Sequence, residues 1–359
     1  MQNTARVLID LSALRDNLSV ARTLSPHSRI MAMIKADAYG HGLIPTAEAL
    51  NSADGFAVAR LHEALLLRKA GISKRILLLG TLLDRADLAT CSKHDVDVTA
   101  HDGLTVECIV AQARRTPLRV WLKLDSGMHR VGLTPETFVQ ADRALSGHSG
   151  ISELVHMTHF SHADDITTVM MERQLSCFWA CHKACSEAKV SLANSAALIS
   201  RPETHADWVR PGIMLYGDNP LAAHHPVLLR PAMTVRAHVI AIRRIGSGES
   251  VGYSGRWTSS RPSLIGTIGI GYGDGYPRHA QNGTPVRING RLVPLVGRVC
   301  MDSITVDLTD CEHVSIGDEA TLWGHELPVA TVANHANTIS YELLTSITQR
   351  VNREYIDHP

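Results

Sequence analysis

Eight short apolar runs, at 29–35, 55–59, 75–79, 96–100, 119–124, 153–159, 190–194 and 208–214, alternate with helical patterns such as 61–70, 103–114 and 170–188. Apolar runs of this length suit strands covered on both faces rather than half-exposed ones. Parallel strands of that kind need crossovers between them, and eight such units over roughly 200 residues make a (β/α)8 barrel. The expected fold is therefore α/β, with a (β/α)8 TIM barrel over 11–230 whose working face carries the carboxyl ends of the strands.

Near Pro231 the rhythm changes. Runs at 232–245, 263–270, 284–288, 291–296, 303–308 and 319–323 are strand-like and are separated by Gly, Asn, Asp and Pro. Asn289-Gly290 between two such runs is a strong two-residue hairpin signal. A mostly antiparallel β domain over 231–359 follows from this pattern. A short strand at 6–10 precedes the barrel, followed by a helix at 12–23 for which Ser12 is the candidate N-cap.

Lys+Arg and Asp+Glu both number 35, so no net field exists to hold a polyanion or an anionic membrane. Nucleic acid and membrane are not expected partners. The first residues lack a basic stretch followed by an apolar core, and no apolar run approaches the roughly 20 residues that span a bilayer; a cytoplasmic location is the expectation. Seven scattered cysteines argue for reduced thiols. Cys177, Cys181 and Cys185 share a helical face, which suits a small apolar stripe better than a soft-metal site.

The densest chemistry sits at Ile34-Lys35-Ala36-Asp37-Ala38-Tyr39-Gly40-His41-Gly42. Lys35 closes an apolar strand, where desolvation disfavours its ammonium form and leaves an amine able to attack a carbonyl. Schiff-base chemistry is one reading; a strand-end lysine reaching solvent is the other. Tyr39 could donate to a phosphate oxygen or be an ordinary turn tyrosine with a wet hydroxyl.

This stretch resembles the signature Ala-Val-x-Lys-Ala-Asp/Asn-Ala-Tyr-Gly-His-Gly around the cofactor lysine of bacterial alanine racemases, which are fold-type III pyridoxal-phosphate enzymes. The resemblance extends over essentially the whole chain and implies pyridoxal 5'-phosphate joined to Lys35. It also implies interconversion of L- and D-alanine, a barrel followed by a β domain that takes in strand 1–10, and a head-to-tail homodimer. The resemblance further assigns the cofactor phosphate to Tyr39, Asn194, Ser195, Gly212, Ile213 and Tyr341. By their residue types alone, Asn194 and Ser195 could equally make a routine helix cap.

Arg210, in Asp207-Trp208-Val209-Arg210-Pro211-Gly212-Ile213, matches the arginine that the family sets against the pyridine nitrogen. A permanent positive charge there keeps that nitrogen unprotonated, making the ring a poorer electron sink and favouring reprotonation at Cα over transamination. Some members support this arginine with a histidine where this chain has Ser191. The stretch 121–130 matches another family segment: Lys123 falls where several members carry a carbamate, and Arg130 where the family contacts the substrate carboxylate. His159 matches a histidine stacked on the cofactor ring.

Racemisation needs proton transfer on both faces of a planar centre, and one lysine serves one face. The second base implied by the resemblance is Tyr253, in Glu249-Ser250-Val251-Gly252-Tyr253, supplied by the partner subunit. A phenol with a pKa of about 10 serves as base only with cationic help, so an exposed structural tyrosine is the competing reading. Tyr272 and Met301 match interface residues at the substrate channel. Gly-x-Gly runs near Tyr272 lack a following helix and carry no nucleotide reading.

His156-x-x-His159-x-x-His162 with Asp164 and Asp165 resembles a metal set in isolation, and a barrel hydrolase with carbamylated Lys123 between two ions would use it. In a strand, however, His156 and His159 point to opposite faces, so no metal is expected. Two further alternatives are an amino-acid decarboxylase of the same barrel type and a barrel-only cofactor carrier.

Overall fold

The computed structural model describes residues 4–80, 83–165, 167–221, 225–311 and 313–357. Residues 1–3 and 358–359, the outer ends of the two segments expected to form the β domain, lie outside the described residues.

After a first strand β1 (Ala5–Asp10), eight parallel strands close in sequence order: β2 (Arg29–Met33), β3 (Gly55–Val58), β4 (Arg75–Leu78), β5 (Val96–Ala100), β6 (Leu118–Lys123), β7 (Ile151–Met157), β8 (Lys189–Ser191) and β9 (Trp208–Val209). β9 meets β2 through the pairs Arg29–Trp208 and Ile30–Val209, which shuts the barrel. The last two strands are much shorter than the runs 190–194 and 208–214. Pro211 has no N–H to give a ladder, and Ile213–Tyr216 instead winds into a 3-10 turn. The helix at 170–188 also stops early, spanning Met170–Lys183.

Arg75, Asp97, Arg119, Glu153, Lys189 and Trp208 lie at or near the amino ends of their strands, and together with Trp121 they plug that end of the barrel. Asp97, with no exposed surface, accepts from Arg119 Nε at 2.6 Å and from Trp121 Nε1 at 2.8 Å, and pairs with Arg75. Arg75 also reaches Glu153 at 2.7 Å and lies 5.1 Å over the Trp208 ring. A buried carboxylate shared by two guanidiniums and an indole N–H is satisfied on both oxygens, so it can remain charged inside the barrel. The carboxyl ends are thereby left as the open side.

The helix after β1 spans Leu11–Leu24, and its cap is not Ser12. Asp10 holds an extended backbone and accepts the Ala13 N–H at 3.0 Å, while Ser12 Oγ donates to the same carboxylate at 2.6 Å. The carboxylate comes from the residue before the helix, where a side-chain oxygen reaches the N3 amide.

Beyond the barrel the strands are β10 (Met233–Ile245), β11 (Ser250–Val251), β12 (Trp257–Thr258), β13 (Ser263–Ile268), β14 (Pro285–Ile288), β15 (Arg291–Pro294), β16 (Ile304–Asp307), β17 (Glu319–Trp323) and β18 (Asn352–Ile356). One eight-stranded sheet runs β15-β14-β17-β10-β1-β18, with β13 joining β10 to β16. β1 pairs antiparallel with β10, and so joins this sheet rather than the barrel. The Asn289-Gly290 hairpin forms with positive φ at both residues, as a primed turn requires. Three features lacked a clear pattern in the sequence: β18, parallel to β1, the β11-β12 ribbon, and two helices at Val329–His335 and Ser340–Ser346.

Candidate active site

A cavity of about 1180 Å³ opens at the carboxyl ends of the barrel strands, with Tyr341 and Thr345 of the last helix on its wall. β2 ends at Met33, two residues short of Lys35, and Ile34 N–H still donates to Ala57 O at 3.0 Å. Lys35 then enters a turn of the wrong hand. Ala36, Asp37, Ala38 and Tyr39 all have φ of +53° and Gly40 has +81°, a left-handed turn made almost wholly of residues with a Cβ. Lys35 and Tyr39 both line the cavity. The Lys35 amine is held below its ordinary pKa by burial first and by the Arg130 charge second, with Glu63 opposing.

Tyr39 is 7% exposed and stacks on Tyr216 with ring centroids 4.6 Å apart. A Cβ built on Gly212 would lie 2.6 Å from the Tyr39 hydroxyl oxygen, so only glycine lets this backbone and that hydroxyl come so close. Ser195 Oγ accepts from the N–H of Gly212 at 2.8 Å. The Gly212 N–H is thus given to Ser195, and the hydroxyl binds the two segments together. Ile213 opens the 3-10 turn that follows. Asn194 is a helix cap, its Oδ1 accepting from Ala197 N–H at 3.0 Å. Tyr341 sits beside Tyr39, centroids 6.0 Å apart, and burial pushes its phenol up.

Arg210, 5% exposed, donates to Ser191 Oγ at 2.6 Å, to Thr158 O at 2.6 Å and to Leu192 O at 3.2 Å. Ser191 donates onward to Trp208 O at 2.9 Å, which turns its lone pair toward the guanidinium. No ion pair among the described residues includes Arg210. Its pKa is lowered by burial to about 10, so it remains charged at neutral pH. Ser191, at the position where the resemblance leads one to expect a histidine in some members, thus holds the guanidinium through its hydroxyl.

Lys123 ends β6 and faces the same cavity. Burial, then Arg130, Arg210 and Lys35, bring its amine down to about 8, with Asp125 opposing. Asp125 accepts the N–H groups of Gly127, Met128 and His129 and so shapes the loop that carries Arg130 to the cavity wall. His159 lies well below its ordinary pKa through burial and the charges of Arg210, Lys123, Arg130 and Lys35, and is neutral. His156 points the other way, out of the barrel wall, to Asp142 at 3.0 Å and His182 at 2.9 Å. His159 lies past the end of β7 and lines the cavity, so the two diverge without sharing a strand; among the described residues no group of three or more His, Cys, Asp or Glu is placed to hold an ion.

Three expected site residues are not brought to this cavity. Tyr253 is 69% exposed, Met301 53% and Tyr272 37%, all on the β domain. Tyr272 and Met301 are neighbours, since Tyr272 N–H donates to Cys300 O and Gly273 N–H to Met301 O. Glu63 was missed in the sequence: it is 6% exposed and takes backbone N–H groups from Ala36, Ala59 and Arg60. Its signal, an acid three residues after a helix cap, was hidden because Arg60 occupies the cap.

A closed barrel that gathers a desolvated lysine, a second weakened amine and a buried guanidinium, in no ion pair among the described residues, on its open rim has the architecture of a barrel enzyme. Family models describe it further: "Alanine racemase, N-terminal domain" matches residues 9–220 and "Alanine racemase, C-terminal domain" matches residues 232–355. The chain belongs to the alanine racemase family. It is 47% identical over 351 residues to an alanine racemase of Chromohalobacter salexigens, covering 97% of this chain and 96% of that one. It is 45% identical over 355 residues to one of Yersinia pestis, covering 98% and 99%. The crystal structure of the biosynthetic alanine racemase of Pseudomonas aeruginosa superposes with a TM-score of 0.96 at 42% identity, covering 99% of this chain and all of that chain. The alanine racemase of Bartonella henselae, solved with covalently bound pyridoxal phosphate, gives 0.92 at 31% identity over 99% and 100%. No helix among the described residues is long and apolar enough to cross a membrane.

Proposed function

We propose that this chain binds pyridoxal 5'-phosphate at Lys35 and interconverts L- and D-alanine in the cytoplasm, supplying D-alanine for the cell wall or serving alanine breakdown. The observation that carries the reading is that Lys35 and Arg210, two basic groups held by burial below their ordinary pKa, face one cavity. Such a site suits a group with an aldehyde, a phosphate and a ring nitrogen. The close approach of the Gly212 backbone to the Tyr39 hydroxyl, which a Cβ would block, sets that hydroxyl beside the cavity wall formed by Ser195, Ile213 and Tyr341, where the phosphate would be held, with Asn194 holding the segment in place. When bound, the cofactor draws electrons from the Cα–H bond of the amino acid and makes that proton acidic.

Lys35 Nζ, weakened as an ammonium, takes or returns the proton on one face of Cα. Tyr253 Oη serves the other face. In one copy of the chain Tyr253 lies in the open, so the reading needs a head-to-tail homodimer in which Tyr253, Tyr272 and Met301 of a second copy close the site. Arg210 would face the ring nitrogen of the bound cofactor and, by repulsion of a second positive charge, would keep it unprotonated. Arg130 takes the substrate carboxylate, neutral His159 lies against the ring, and a carbamate on Lys123 would offset the surplus positive charge beside Arg130. Division of the chain into 11–230 and 231–359, with 1–10 added to the latter, belongs to the same proposal.

The test is an absorbance spectrum of the purified protein with a racemisation assay over a panel of amino acids. Lys35→Ala is expected to abolish the band of the lysine-bound cofactor and all turnover; an unchanged spectrum refutes the attachment site. Release of carbon dioxide without racemisation would instead support decarboxylation.

A further inference from the structure

A residue with a Cβ is disfavoured in a left-handed helical turn because the Cβ crowds the following carbonyl oxygen, and such strain persists only where the surroundings over-determine it. Four residues in succession, Ala36 to Tyr39, carry it here immediately after Lys35. At the entrance, Glu63 Oε1 accepts the Ala36 N–H at 2.7 Å, on the peptide that leaves Lys35. Its other oxygen accepts the N–H groups of Ala59 and Arg60, both at 2.9 Å, where β3 leaves the barrel. A buried carboxylate offers acceptors only, and an amide in its place would turn an N–H2 toward donors. At the exit, Arg353 Nε on β18 donates to Gly40 O at 2.8 Å while Nη2 donates to Ile347 O at 3.0 Å. The turn is thus clamped at both ends by charged side chains from distant parts of the chain.

We infer that Glu63 is a positioning residue for Lys35, holding the entrance of the left-handed turn while Arg353 holds its exit, so that the lysine backbone keeps the one arrangement from which its amine enters the cavity. The inference rests on the reading of Lys35 as the cofactor attachment point. Glu63 has two separable effects. Its three hydrogen bonds place the backbone, and its negative charge favours the Lys35 ammonium against burial and Arg130. Arg353 acts on placement alone.

The test uses the full-length protein stripped of cofactor. Pyridoxal phosphate is added across a pH series, the adduct is trapped with borohydride, and incorporation at Lys35 is followed by mass spectrometry. In Glu63→Gln, capture is expected to slow roughly 10–100-fold, the scale of a misplacement of about 1 Å, and its pH midpoint to move lower because a negative charge is gone. In Glu63→Asp and Arg353→Gln, capture slows and the midpoint stays. A purely structural Glu63 would lower the melting temperature of these variants while leaving the capture rate and midpoint at wild-type values, and that result overturns the inference. Should Glu63→Gln not fold, wild-type capture rates in the other two overturn it equally. Failure of the wild-type protein to incorporate at Lys35 overturns the attachment reading itself, a distinct outcome.

Discussion

Arg210 Nη1 donates to Ser191 Oγ at 2.6 Å, and Ser191 in turn donates to Trp208 O at 2.9 Å. This hydroxyl, with the carbonyls of Thr158 and Leu192, ties to the barrel wall a buried guanidinium that forms no ion pair among the described residues. Ser191→Ala leaves a buried charged donor short of one acceptor, which costs about 1–3 kcal/mol. Denaturant unfolding should show that loss, with racemisation falling as Arg210 swings from its place. Equal stability of Ser191→Ala and wild type would sink this account.

Gly212→Ala sets a methyl 2.6 Å from the Tyr39 hydroxyl oxygen, closer than van der Waals contact permits. Tyr39 is pinned against Tyr216, so the backbone at 212–213 must shift, and with it part of the wall assigned to the phosphate. Cofactor affinity, read by equilibrium dialysis, should drop at least tenfold, and the melting temperature of the protein should fall with it.

Lys123 supplies a pH signature. Its amine is lowered to about 8 from an ordinary 10.5, by burial first and by Arg130, Arg210 and Lys35 next. Between those values the unfolded chain holds a proton that the folded one has released, so stability rises with pH across that window, and the penalty of the buried ammonium is felt in full below it. An amine-reactive reagent should label Lys123 with a midpoint near 8 in a pH series read by mass spectrometry. A midpoint near 10.5 would contradict the desolvated site.

Mixing inactive Lys35→Ala with inactive Tyr253→Phe tests the shared site. In random dimers about half are mixed, and each of these gathers both lesions in one site and leaves the other intact, so about a quarter of sites should recover. No recovery after subunit exchange would show that Tyr253 serves its own chain or none.

Much of the site was legible because its residues lie where strands end. Lys35, Lys123, His159 and Arg210 each belong to a recognisable apolar run and lie at or within two residues past the end of the strand it forms, and the barrel's geometry gathers those strand ends on one rim. His156 points outward from β7, but His159 lies past the end of that strand at Met157, so the period of two did not by itself fix the direction of the second histidine. The cap of the first helix was misjudged because Asp10 and Ser12 are both good caps, and only the backbone decides which one is extended.

Local pattern by itself determined the order of strands and helices, the switch to antiparallel hairpins after Pro231, and the candidate lysine with its tyrosine four residues on. Tertiary structure alone decided the hand of the turn between that lysine and tyrosine. Four residues there adopt a conformation their own side chains disfavour. The groups that impose it, Glu63 and Arg353, lie 27 residues from Ala36 and 313 residues from Gly40. No window of sequence contains both the strain and its support, because hydrogen bonds made across the fold outweigh the preferences of the residues between them.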